Sequence, residues 1–310
     1  MWDVVVLGAG LGGLLLANRL GDRKVLLVDR RRWPGKKCTG IVSEETFRKL
    51  GVSRDYVDSR FREIEVQTDR SEVYFRVEVV RLNRFKLEKD LSDSLKVVRP
   101  VNGEIMGDRV KVGNQLLRTV GVRATGWQGK GCRWLKAVEI STEPLSEENV
   151  KVFLDSRNVG GFSWIVPLAD RALVGAVSYG DPELFLPKLN KRVIERHGGA
   201  IPRVNPKPFS DLRIGDSTGL VKTFTGGGIF SISEILNPLV SYLNGEGPKL
   251  YNETLRKLRA EVRRQYILTR SLELSWSLAL KGAKLFRDRT IHVQREFDFH
   301  SILLKFILPH

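Results

Sequence analysis

Three groups of residues in this 310-residue chain have types and spacings suited to chemistry. The first is Gly8-Ala9-Gly10-Leu11-Gly12-Gly13, closed some residues later by Asp29 and Arg30. The second is Ile214-Gly215-Asp216, followed by Thr225-Gly226-Gly227-Gly228-Ile229. The third is a lone thiol, Cys38, in the run Lys37-Cys38-Thr39-Gly40-Ile41-Val42-Ser43. A glycine-rich turn before a helix lets a pyrophosphate approach the backbone, and an acid at the end of the next strand can accept hydrogen bonds from ribose hydroxyls. In that scheme Gly8 permits the tight turn, Gly10 makes room for the phosphates and Gly13 lets helix and strand pack closely. A thiol can hold a proton at neutral pH and give it up.

These residues need elements to position them. Val4 to Leu7 is a short apolar run suited to a buried parallel strand. Leu14 to Leu20 reads as a helix ending near Gly21, and Lys24 to Val28 as a second strand closed by Asp29. The bare glycine pattern is weak by itself; strand, turn, helix, strand and terminal acid together form the dinucleotide-binding context. Arg62 to Val80, with alternating apolar residues, predicts a hairpin, and Asn149 to Leu154, Gly161 to Val166 and Ala172 to Val177 predict further strands.

In order, these motifs resemble the geranylgeranyl reductases, a family of the para-hydroxybenzoate hydroxylase-like FAD superfamily. Lys37 to Ser43 is similar to the family's cysteine-containing loop. Asn83-Arg84-Phe85-Lys86-Leu87-Glu88 with Leu91 resembles its Asp-Arg-x-x-Phe-Asp-x-x-Leu helix, and Ala124-Thr125-Gly126 its Ala-Thr-Gly strand end. Phe162-Ser163-Trp164-Ile165-Val166-Pro167 resembles the Tyr-x-Trp-x-Phe-Pro motif. The departures are Phe162 without a phenolic hydroxyl, Val166 for the second aromatic, Lys222-Thr223 where Asn-Pro is usual, and Arg123 where Asp is frequent.

The resemblance implies an α/β fold: a Rossmann-type FAD-binding domain (1–60, 83–135, 206–250) interleaved with an antiparallel β-sheet substrate domain (61–82, 136–205), then a C-terminal helical segment (251–310). It implies FAD, held by Gly8, Gly10, Gly13, Asp29, Arg30, Cys38, Gly40, Arg84, Gly126, Gly215, Asp216, Gly226, Gly227, Gly228 and Ile229. Reduction of isoprenoid carbon–carbon double bonds is the implied activity, with Cys38, Phe162 and Trp164 at the reacting centre. NAD(P)H or ferredoxin would supply electrons and an isoprenoid phospholipid would be the substrate. The same superfamily leaves an aromatic monooxygenase open, and a non-catalytic, electron-carrying flavoprotein at a membrane surface is the third reading.

Composition limits the alternatives. Two cysteines, Cys38 and Cys132, imply neither a disulfide scaffold nor a metal cluster. His197, His292, His300 and His310 lack ligand spacing and read as surface or core residues. No stretch reaches the ~18 apolar residues of a membrane span, and the first residues enter a strand directly. The expected location is cytoplasmic, with peripheral contact at the inner face of the membrane. Net charge is +16, from 52 Lys plus Arg against 36 Asp plus Glu. It suits an anionic partner such as a phosphate-bearing lipid or headgroup surface; no nucleic-acid-binding module is present. Frequent charges suit a heat-adapted protein, as in the archaeal members of the family. From 251 to 310 there are 12 Lys plus Arg against 6 Asp plus Glu. Leu255, Leu258, Val262 and Tyr266 fall at helical spacing there, predicting a helix that either covers the FAD-binding domain with its arginines solvated or roofs a lipid tunnel, and Ile302 to Leu308 forms a short apolar run.

Overall fold

A computed structural model describes residues 2–69, 71–293 and 296. The apolar run Ile302 to Leu308, His300 and His310 lie outside the described residues.

A five-stranded parallel sheet carries the glycine turn. Its order is Leu212–Arg213, Val120–Arg123, Val4–Leu7, Val25–Val28, Val97–Val98. Every side chain of Val4–Leu7 is buried, as a central parallel strand covered on both faces requires. One face packs on the helices Leu11–Arg19 and Ile229–Leu243, through Leu14, Leu15, Ile232, Ile235 and Leu239. The other face packs on a small antiparallel sheet, Gly103–Met106, Arg109–Val112 and Gln115–Arg118, with Val110 fully buried against Val5 and Leu7. This three-stranded layer leaves little trace in the sequence, because its outward residues are exposed and only Val110 is deeply buried.

The second sheet has nine strands in the order Val193–Arg203, Arg133–Thr142, Ala172–Ser178, Phe162–Pro167, Val150–Leu154, Val57–Thr68, Ser71–Leu82, Thr290–His292, with Ile41–Ser43 also pairing Ser71–Leu82. The expected antiparallel sheet is in fact mixed. Val150–Leu154 runs parallel to Val57–Thr68, and Thr290–His292 parallel to Ser71–Leu82. The chain enters this sheet at 41–43, 57–82, 133–203 and 290–292, so the two sheets interleave along the sequence.

Local signals set the joints between them. Ser43 caps the helix Glu44–Leu50 by accepting from Thr46 N at 2.9 Å, and Gly51 ends that helix in the left-handed conformation. The helix Lys249–Leu274 buries Tyr251, Leu255, Leu258 and Val262. Gln265, in place of the expected Tyr266, continues the buried stripe, which then turns polar with Thr269 and Glu273. The segment after 250 is not wholly helical, since Thr290–His292 is a strand. Among the described residues, no helix is long and apolar enough to cross a membrane.

Candidate active site

The glycine turn is built as the chemistry demands. Gly8 has φ +108°, and a Cβ there would lie 2.3 Å from Ala124 O. The turn therefore rests on the Ala124-Thr125-Gly126 strand end. A Cβ on Gly13 would lie 2.0 Å from Gly8 O, so helix and strand are packed to backbone contact. At Gly10 the nearest atom to an added Cβ is Arg31 Nη2, 3.7 Å away. Gly10 is thus free of internal packing demands, and the open space beside it is where a phosphate group fits.

Asp29 is 4% exposed. Its Oδ2 accepts from Ala9 N at 2.8 Å and its Oδ1 from Arg31 N at 2.7 Å. Burial alone would raise its pKa; hydrogen bonds and charge from Arg31, with the Ala9 amide, outweigh that and hold the carboxyl below the usual range. Arg31 and Arg99 flank the acid, at 3.3 and 3.4 Å. Arg30, expected in this group, is exposed and forms no hydrogen bond or ion pair with Asp29.

Arg84 joins the turn to the thiol loop. It donates to Glu88 Oε1 at 2.6 Å, and the same oxygen accepts from Leu11 N at 3.0 Å at the start of the first helix. Glu88 is fully buried, with Oε2 lacking a hydrogen-bond partner. Burial opposes the Arg84 charge, but the acidic groups of Glu88, Cys38 and Asp216 around it hold the guanidinium above its ordinary range. Three widely separated sequence motifs therefore converge on one cation.

Beyond them lies a cavity of about 640 Å³ between the two sheets, within the range of small-molecule sites. Cys38, Gly40, Arg84, Phe162, Trp164, Asp216 and the turn 226–229 all line it. Gly226 has φ +74°, and a Cβ on Gly228 would sit 2.2 Å from Asp216 Oδ1. These two positions need glycine for conformation and for close approach. Gly228 begins the 15-residue helix Ile229–Leu243, which has no side-chain cap, so its amide end opens at the cavity. Gly215 (φ +71°) turns the chain at Asp216 without lining the cavity. Gly8, Gly10, Gly13, Asp29 and Gly126 belong to the neighbouring turn, and Arg31 connects that turn to the cavity.

The far wall is apolar: Ile64, Val66, Phe75, Val152 and Val166 from the mixed sheet. Phe162 stacks on Phe224 at 5.7 Å between centroids and lies 5.7 Å from Trp164. The C-terminal helices contribute no lining residue. Tyr251, Leu255, Leu258 and Val262 cover the core of the first sheet and its helices, while Trp276 and Leu280 pack behind Leu154 and Phe224, so of the two readings the helices form a cover and not a tunnel roof.

Two polar residues of the wall, Glu139 and Glu296, escaped the sequence reading, and two more, His197 and Lys222, were noted there without a role in the site. Glu139 and His197 sit opposite each other on adjacent strands. Lys222, 4% exposed, lies 4.5 Å over the Phe230 ring and donates to Glu296, which also accepts from Ser43 and Thr46 Oγ1. Burial would raise the pKa of Glu296, but Lys222 and the two hydroxyls hold it below its ordinary value. The Lys222 position was visible only as a departure from a familiar Asn-Pro pair. Cys132 stands apart from this site, accepting from Trp127 Nε1 at 3.1 Å.

No protein-family model and no curated protein sequence matches the chain. Solved structures do. A geranylgeranyl bacteriochlorophyll reductase-like protein from Thermoplasma acidophilum superposes with a TM-score of 0.81 at 16% identity, covering 98% of this chain and 95% of that one. The chain shares the fold of that protein. A probable FAD-dependent monooxygenase from Pseudomonas aeruginosa gives a TM-score of 0.69 at 18% identity, over 92% and 98% of the two chains. A flavin-dependent brominase gives 0.65 at 14% identity, over 91% and 90%. The flavoprotein fold and the interleaved two-sheet architecture are those expected from the motifs.

Proposed function

We propose that the chain is an FAD-dependent oxidoreductase that saturates carbon–carbon double bonds of geranylgeranyl chains in membrane-lipid biosynthesis. The observation that carries this reading is the apolar wall of Phe162, Trp164, Ile64, Val66 and Val152, facing a glycine turn and an uncapped helix end across one cavity. A flavin needs the second surface and an isoprenoid chain needs the first.

FAD would lie with its pyrophosphate at Gly10 and the start of the helix Leu11–Arg19, its ribose near Asp29, and its ring against 226–229. The reduced ring supplies a hydride. The protein's own residues do the rest. Phe162 and Trp164 exclude water and align the alkene. The uncapped amides at Ile229 stabilise negative charge at the helix end. Cys38, on the loop that lines the cavity, gives the proton as the hydride is delivered, and its thiolate regains one before the next cycle.

The expected partners are an isoprenoid phospholipid and a reductant, NAD(P)H or ferredoxin. We further propose peripheral binding to an anionic membrane surface at the C-terminal helices. Ile267, Leu274, Leu278 and Leu285 are exposed there, beside the exposed cations Arg263, Arg264 and Lys281. Aromatic hydroxylation is the second reading, supported by the likeness to a probable FAD-dependent monooxygenase. Anaerobic incubation of dithionite-reduced protein with a geranylgeranyl phospholipid should add hydrogens, detected by mass. Oxygen-dependent hydroxylation of an aromatic substrate, with no hydrogen added to the lipid, would replace this reading.

A further inference from the structure

The mixed sheet places a carboxylate and an imidazole side by side in an otherwise apolar wall. Glu139 is 5% exposed and pairs in register with His197 on the neighbouring strand. Its Oε1 lies 3.2 Å from His197 Nε2. Its Oε2 accepts from Trp164 Nε1 at 3.0 Å and from Thr39 Oγ1, the residue following Cys38. His197 Nδ1 is shut off from solvent and has no hydrogen-bond partner. Leaving a buried polar nitrogen unpaired is costly, and such groups call for an explanation beyond packing. Packing alone would place an apolar residue here, as it does at Ile64, Val66 and Val166 on the same wall. Imidazole is also the side chain best suited to exchange protons near neutrality.

We infer that Glu139 and His197 form the proton-exchange site of the cavity, returning a proton to the thiolate that Cys38 leaves after each reduction. This rests on the reductive reading above. In the balanced cycle the alkene gains a hydride from reduced flavin on one carbon and the Cys38 proton on the other. The new C–H bonds form as the S–H bond breaks. A proton then passes from the Glu139–His197 pair to the thiolate, and the pair takes one back from solvent, the His197 side chain being partly exposed. The charged groups around the pair are Lys36, Lys37 and Cys38 on the loop, and Glu195, which pairs with Lys37. The strands Ala172–Ser178 and Phe162–Pro167, packed beside it, bring no titratable side chain.

The test uses the flavin-loaded full chain and the isosteric variants Glu139→Gln and His197→Gln. Pre-reduced protein mixed anaerobically with geranylgeranyl phospholipid and excess dithionite should show a first turnover at the wild-type rate and later turnovers slowed at least tenfold. A slowed first turnover would instead make the pair the direct donor and overturn the relay. Wild-type rates throughout would overturn it as well. Absence of lipid reduction by the wild type would reject the reductive reading itself, and a second measurement, free of flavin, still decides the pair. The Trp164 indole N–H resonance of the apoprotein should shift with pH and lose that shift in Glu139→Gln; a resonance that does not move with pH overturns the proposal.

Discussion

Arg203, on a strand of the mixed sheet, donates to Glu273 near the end of the 26-residue helix Lys249–Leu274. Both side chains are nearly sealed from solvent, at 1% and 5% exposure. Arg133, Arg270 and the Tyr179 hydroxyl complete the polar cluster around the same carboxylate. The contact ties the C-terminal helix to the sheet that carries Phe162 and Trp164. Breaking one partner of a buried pair costs about 3–5 kcal/mol. Glu273→Ala should therefore lower the thermal midpoint by several degrees or more, and Arg203→Met/Glu273→Leu should recover part of that loss. A Glu273→Ala protein that melts like wild type would remove this contact from the stability of the fold.

The two neighbouring glycines of the first helix should behave oppositely. Gly10→Val points into open space, so the apoprotein should melt at the wild-type temperature while FAD binding is lost. Gly13→Ala drives a Cβ against Gly8 O, so it should destabilise the apoprotein itself. Circular dichroism melts with and without FAD separate the two effects. Equal loss of stability in both variants would mean that Gly10 has a packing role.

Asp29 makes a pH-dependent contribution whose sign is set by its lowered pKa. A carboxyl held below its unfolded value, 3.8 for Asp, stabilises the native state fully above that value and loses the effect as pH falls through the folded pKa. The difference in melting temperature between wild type and Asp29→Asn should therefore be constant from pH 5 to 7 and shrink below about pH 3.8. A difference that grows in acid would contradict the assignment.

Cys38→Ser should keep the flavin spectrum and slow lipid reduction at least tenfold, since a hydroxyl is a far weaker acid than a thiol. Full activity in the serine variant would take the thiol out of the mechanism.

The membrane contact proposed for the C-terminal helices predicts that binding to anionic vesicles falls steeply between low and high salt, because screening acts beyond about 10 Å at 0.1 M. Flotation assays would show it. Salt-independent binding, equal on neutral vesicles, would point to the apolar residues alone.

Much of this site was legible in the sequence because its residues carry backbone constraints. Gly8, Gly13, Gly226 and Gly228 are fixed by conformation or contact, and such positions announce themselves in a chain. The strands Val150–Leu154, Phe162–Pro167 and Ala172–Ser178 were visible from their apolar runs. Glu139 and His197 were not. They lie far apart in sequence and meet only through strand register, which local pattern does not encode. Glu88 was seen as part of a helix motif, but its reach to Leu11 N is a tertiary contact. The small sheet at 103–118 was missed because it buries one face weakly.

The proposed function requires one cavity to hold a flavin against a dry isoprenoid slot. Its most direct test is the anaerobic reaction of dithionite-reduced, FAD-loaded protein with a geranylgeranyl phospholipid. The account predicts that the flavin reoxidises without oxygen as the lipid gains two mass units for each double bond saturated, and that Phe162→Asp/Trp164→Asp abolishes this while the bound flavin spectrum remains. Flavin that stays reduced beside an unchanged lipid would contradict it.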